Sequence, residues 1–200
     1  MNPSSSEAER AWPAVLTWRA HDVPRMESAR VQLSGNRIKA YGRIVAAATD
    51  SHPAFSASYD LQTDGSGATT RLVLIVTLAE RERQLSMARD EENMWLVTDH
   101  QGQSRAAYDG ARDVDVVFSP FFNALPIRRT GLYERADSLT LPVAYVTLPD
   151  MSVRAATTSY SSAGPGSRDG IKLQTPYADT TITVDSDGFI LDYPGLAERI

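Results

Sequence analysis

Apolar and polar residues alternate over short spans at Val31–Leu33, Lys39–Val45 and Ser56–Leu61. A period of two residues marks a strand with one face on a core and the other in water. Arg71–Leu78 is a nearly continuous run of leucine and β-branched residues behind a Gly-rich turn. It is too short for an ordinary helix and predicts a central strand. Further strands are predicted at Asn93–Thr98, Ala111–Phe118, Leu141–Leu148, Val153–Tyr160, Thr180–Val184 and Phe189–Tyr193. Ala79–Arg89 would suit a helix by propensity alone. A turn at Glu80–Glu82 and a strand through Gln84–Ala88 fit better, because both neighbours are strands.

Turn dipeptides separate these runs: Gly35-Asn36, Asp64-Gly65, Asp109-Gly110, Asp169-Gly170 and Asp187-Gly188. With no βαβ alternation and no internal repeat, the pattern predicts a mainly all-β chain, an antiparallel sheet or barrel with few short helices. Ser119–Arg129 breaks the pattern. Pro120 and Pro126 would interrupt a ladder, while Phe121, Phe122, Leu125 and Ile127 must pack against something. An irregular apolar segment plugging the concave side of a curved sheet is expected there. Ser161–Gly170, rich in Gly, Ser and Pro, is expected to be a mobile loop. The organisation expected is a disordered tail over residues 1–10 and a single β domain over 11–200.

Composition narrows the function more than the fold. The 200 residues contain no cysteine, which excludes disulfides, thiol catalysis and cysteine-ligated metal centres. The net charge is −5 with only two lysines, and the arginines are dispersed along the sequence. That balance argues against a general nucleic-acid binder, whose phosphate affinity comes from clustered basic residues. Met1–Arg10 lacks the basic head and apolar core of a secretory signal, and the longest apolar run, Leu72–Leu78, is far short of a membrane span. A cytoplasmic, soluble protein without an integral membrane segment is expected.

Catalytic signals are sparse. Asp113 and Asp115 would share one face of a strand with Cα atoms roughly 6.5–7 Å apart, a spacing open to a carboxylate-pair hydrolase. The plainer reading has Val114, Val116 and Phe118 on the core and the two acids in water or paired with Arg112, Arg128 or Arg129. His21, His52 and His100 have no metal-ligand spacing, and no serine sits in a nucleophile elbow. No cofactor and no metal are expected. On an extended segment Arg128 and Arg129 would point to opposite faces. The inward one would need Asp113, Asp115 or an anionic or hydroxylated ligand group as partner. Asn123 could simply bond its own loop. Aromatics such as Trp18, Trp95, Phe121, Phe122, Tyr145 and Tyr193 would fill a core, or line a cavity if the sheet curls without filling its interior.

Asp113-Val114-Asp115, Ser119–Asn123, Leu125-Pro-Ile-Arg-Arg129, Val184-Asp185 with Gly188, and Leu191-Asp-Tyr-Pro-Gly-Leu196 together resemble the Putative glycolipid-binding family of bacteria. The resemblance is strong from Gly110 to Leu196 and weaker before it. It implies a strongly curved antiparallel sheet, an open half-barrel like those of lipoprotein carriers, and an amphiphilic lipid or glycolipid partner with its tails in the concave face. Asp113, Asp115, Asn123, Arg128, Arg129, Asp192 and Tyr193 match the family's polar signature. Asp113, Asp115, Asn123, Arg128, Arg129 and Tyr193 are the ligand-binding candidates, with one arginine as the head-group contact. The chain departs from the family pattern at Ala111, where a cysteine is common, and at Phe121–Asn123. A non-catalytic interaction domain, recruiting a partner or a second copy through its sheet edges, is a third reading.

Overall fold

The computed structural model describes residues 11–164 and 170–200. The tail expected over residues 1–10 lies outside them, as do residues 165–169 of the loop expected at Ser161–Gly170. Among the described residues, fifteen strands form one sheet. The strands are β1 (Ala14–Ala20), β2 (Arg25–Ser34), β3 (Arg37–Ala46), β4 (Phe55–Thr63), β5 (Thr69–Thr77), β6 (Glu82–Arg89), β7 (Trp95–Asp99) and β8 (Gly102–Ala106), followed by β9 (Asp113–Val116), β10 (Ala136–Val146), β11 (Val153–Ala163), β12 (Ile171–Gln174), β13 (Asp179–Val184), β14 (Ile190–Tyr193) and β15 (Ala197–Arg199). One helix, α1 (Pro120–Thr130), lies between β9 and β10.

Strands β1–β8 make one meander and β10–β15 a second, and β15 pairs with β1 to join the two. The spatial order therefore runs from β8 down to β1 and then from β15 down to β9. The sheet does not close on itself. All its pairings are antiparallel except β9 with β10, where Asp113–Val116 lies parallel to Val143–Val146. A parallel pair needs a crossover, and α1 supplies it. One βαβ unit thus stands where sequence periodicity suggested none.

Alternation explains the meander. In β2 every odd position from Arg25 to Val31 is buried and every even one exposed, and β3 repeats the pattern in opposite phase. The inward side chains of β1–β7, among them Trp18, Ile44, Leu61, Leu74, Met87 and Trp95, belong to one core with Phe121, Phe122 and Leu125 of α1. The sheet curls around the helix. The second meander places Tyr160, Leu173, Ile182 and Ile190 against Ile127 at the other end of α1. The tryptophans also close their polar ends, Trp18 Nε1 donating to the Ile190 carbonyl at 2.8 Å and Trp95 Nε1 to that of Ala111 at 2.9 Å.

The segment expected to be irregular is this helix. Pro120 occupies its first turn, where a missing N–H costs no hydrogen bond. Gly131, at φ 70°, closes its C-terminus in the left-handed conformation. Pro126 removes one interior bond, which the burial of all nine residues from Pro120 to Arg128 outweighs. The plug itself was foreseen, but its secondary structure was not. The hollow expected on the concave side is occupied by Phe121 and Phe122, which have no exposed surface. Ala79–Arg89 resolves as a turn and strand β6, as the neighbouring strands required.

Candidate functional site

Strand β9 sets the two carboxylates and α1 sets their partners. Asp113 is completely buried, and Arg129 grips it with Nε 3.1 Å from both carboxylate oxygens and Nη2 2.6 Å from Oδ2. Burial pushes the Asp113 carboxyl up, and the Arg129 guanidinium opposes that shift. This pair joins β9 to the C-terminal half of α1. Because the tandem arginines lie on a helix, they point about 100° apart rather than to opposite faces.

Arg128 takes the other direction. It is buried against the rings of Phe189, 4.9 Å from its guanidinium carbon, and Tyr133 at 5.6 Å. Its Nε and Nη1 have no hydrogen-bond acceptor. Desolvation lowers its pKa, opposed mainly by Tyr133, Asp187 and Asp185. Arg128 and Arg129 border a hollow of about 490 Å³ with Tyr133 and Leu141 at the C-terminal end of α1.

Asp115 faces elsewhere. It lines a cleft of about 380 Å³ together with Asn123, Tyr145, Tyr177, Tyr193 and Phe118. The amide of Asn123 approaches Asp115 Oδ1 at 3.5 Å and also donates to the Ser119 carbonyl at 3.4 Å. With so little to stabilise its charge, Asp115 has its pKa pushed up by burial to about 7, the Val116 backbone amide opposing. Burial, and then the Asp115 carboxylate, raises Tyr145 to about 12 and moves Tyr193 further in the same direction. Tyr145 and Tyr177 stack with centroids 5.3 Å apart, and Arg154 lies 5.2 and 5.1 Å from their rings. Phe118, at φ 72°, is held in a backbone conformation uncommon for an aromatic residue.

Of the six ligand-binding candidates, then, Asp115, Asn123 and Tyr193 meet in one cleft, while Asp113, Arg128 and Arg129 lie outside its lining. Asp113 and Asp115 do not present a carboxylate pair to a common space. Among the described residues no three His, Asp or Glu side chains converge as metal ligands.

Tyr145 and Tyr177 complete the aromatic wall. Tyr145 was among the aromatics expected to fill a core or line a cavity, but nothing local ties it to Asp115. Two contributors escaped the sequence reading, Tyr177 and Glu27, the latter buried on the inward face of β2. It accepts hydrogen bonds from Tyr59 Oη at 2.7 Å, Ser119 Oγ at 2.6 Å and the Phe121 amide at 3.4 Å. Glu27 thereby caps α1 from another strand, while Ser119, the N-cap residue, spends its hydroxyl on Glu27 instead of its own helix. Burial raises Glu27 to about 7 against these donors and Arg25. Extending the alternation of Ala29 and Val31 back by one step would have put Glu27 on the core face.

A family model described as "Putative glycolipid-binding" matches residues 15–199. A crystal structure of a DUF1089 family protein from Pseudomonas aeruginosa superposes with a TM-score of 0.70 at 23% identity, covering 97% of this chain and 100% of that one. At that identity the likeness speaks for the fold alone. A search of the curated proteins found no match.

Proposed function

On the premise that this chain belongs to the Putative glycolipid-binding family, we propose that it binds the sugar head group of a glycolipid in the cleft at Asp115. The observation that carries this reading is the lining itself: three tyrosines and a phenylalanine around the carboxyls of Asp115 and Asp179 and the carboxamide of Asn123. Aromatic faces take the apolar faces of a sugar ring, while Asp115 and Asn123 supply an acceptor and a donor for its hydroxyls. Ligand sites of this kind combine an apolar wall with a few convergent polar groups. A hydroxyl donated to Asp115 would also replace a hydrogen bond that its protein surroundings do not provide.

The concave face is filled by α1, so the reading confines recognition to the head group and leaves the acyl chains outside that core. Arg128, Arg129 and Asp113 brace α1 behind the cleft rather than touch the sugar. The role foreseen for an arginine as head-group contact passes to Asp115 and Asn123.

Titration calorimetry with short-chain alkyl glycosides and an alkyl phosphocholine of the same chain length tests this. Glycosides should bind and the phosphocholine should not. Asp115→Asn and Tyr177→Ala should each weaken glycoside binding by roughly tenfold, the equivalent of about 1.4 kcal/mol. Equal binding of both detergents, or unchanged affinity in both variants, would overturn the assignment.

A further inference from the structure

The outer face of β1–β5 carries a charge opposite to that of the whole chain. Pairing of antiparallel strands brings Arg30 opposite Tyr41, Tyr41 opposite Asp60, and Asp60 opposite Val73, with Arg43 and Arg71 in the flanking rows. The positions pointing away from the core on these strands include Arg30, Arg37, Lys39, Arg43 and Arg71, and Asp60 is the one acid among them. None of the five cations forms an ion pair among the described residues. By contrast Arg19, Arg89, Arg105, Arg129 and Arg199 all do. The chain as a whole has a net charge of −5, so this concentration is local.

The same face exposes apolar side chains. Val15 is 65% exposed, Met26 45%, Tyr41 44% and Val45 53%, and they sit on the adjacent strands β1, β2 and β3. Arg30, Arg43 and Arg71 rim a groove of about 730 Å³ that Val73 and Ile75 also line. Scattered exposed apolar residues need no explanation, but a cluster interleaved with unpaired cations does.

We propose that the outer face of β1–β5 docks the protein on an anionic lipid bilayer. Arginine and lysine side chains meet the lipid phosphates, while Val15, Met26 and Val45 enter the boundary between head groups and acyl chains. Peripheral membrane binding rests on these two contributions, buried apolar area and attraction to anionic lipid. Nucleic acid fits the face less well, because phosphate contact gives no return for exposed valine and methionine, and among the exposed apolar groups of these strands only Tyr41 is aromatic and able to stack on a base. This face shares no lining residue with the Asp115 cleft, so docking on a bilayer is independent of whether that cleft takes a sugar.

Co-sedimentation of the full chain with phosphatidylcholine vesicles, with and without phosphatidylglycerol, is the test. Binding is expected only with the anionic lipid and should fall as salt rises. The double variant Arg30→Glu/Arg43→Glu should lower vesicle partitioning by roughly tenfold or more. Met26→Ser/Val45→Ser should weaken it while keeping its salt dependence. All these side chains are exposed, so both variants should keep the wild-type thermal midpoint, which controls for misfolding. Absence of binding to anionic vesicles, equal binding to neutral ones, or no effect of the charge reversal would overturn the proposal. So would tighter binding to duplex DNA or RNA at the same salt, or self-association of the free protein that the charge reversal abolishes.

Discussion

Glu27 and Asp115 are both carboxyl groups held near neutrality by burial, Glu27 at the N-terminus of α1 and Asp115 beside its first turn. Their ordinary values are 4.5 and 3.8, and both are raised to about 7. Between those limits the folded chain keeps protons that the unfolded chain has released, so raising the pH favours unfolding. The contribution of both groups is therefore present below about pH 4 and declines as the pH climbs to about 7. Calorimetric midpoints measured from pH 5 to pH 8 should fall with rising pH over this window and then level. Glu27→Gln should flatten the decline. A midpoint that climbs steadily from pH 5 to 7 would remove this account of both residues. The close approach of Tyr59 to Gly42, where a Cβ would meet the ring at 2.1 Å, shows how tightly the Glu27 network is seated.

At the scale of elements, α1 is the piece on which both meanders lean. Phe121 stacks on Tyr59 at 5.7 Å and on Phe189 at 6.2 Å, and so touches the first meander and the approach to β14 in the second. Arg129 clamps the helix to β9 through Asp113. Cutting one side of a buried ion pair leaves the other charge stranded, which costs about 3–5 kcal/mol. Arg129→Ala is expected to lower stability to urea by about that much. The double variant Arg129→Ala/Asp113→Ala should recover part of the loss, because no buried charge then lacks its partner. If the double variant is less stable than Arg129→Ala alone, the pair is not the clamp described here. The free ends of the sheet differ in character. β8 is polar and largely exposed, with Arg105 tied to Asp90 and Glu92, which makes it a poor template for edge pairing.

For the whole molecule the decisive contact is the shortest strand. β15 spans only Ala197–Arg199, yet it pairs with β1 on one side and β14 on the other and so makes one sheet of two meanders. Arg199 adds a buried ion pair to Asp185. Deleting residues 197–200 should lower the thermal midpoint and uncouple the two meanders. The van't Hoff enthalpy would then fall below the calorimetric one. A single sharp transition of unchanged midpoint would show that the helix alone holds the halves together. No helix among the described residues is long and apolar enough to cross a membrane.

Local pattern decided most of the strands, because alternation is a property of neighbouring residues and needs no partner to be read, while the short strands β8, β12 and β15 were too brief to show it. The antiparallel character and the return of β6 were legible that way, and the family resemblance came from the motifs at Asp113–Asp115, Leu125–Arg129 and Leu191–Leu196. Helix α1 was not, since a helix buried on every side has no polar face to give it a period. Nor was the cleft: Asp115, Asn123, Tyr145, Tyr177 and Tyr193 come from five separate stretches that only the parallel crossover and the second meander bring together. The charges changed meaning most. Arginines dispersed through the first half are outnumbered there by acids, but alternation sends several of them to one side and strand pairing stacks them in rows. Sequence fixes which face each side chain takes within its own strand. Only the pairing of strands far apart along the chain decides what stands beside it, and binding surfaces are made of such neighbours.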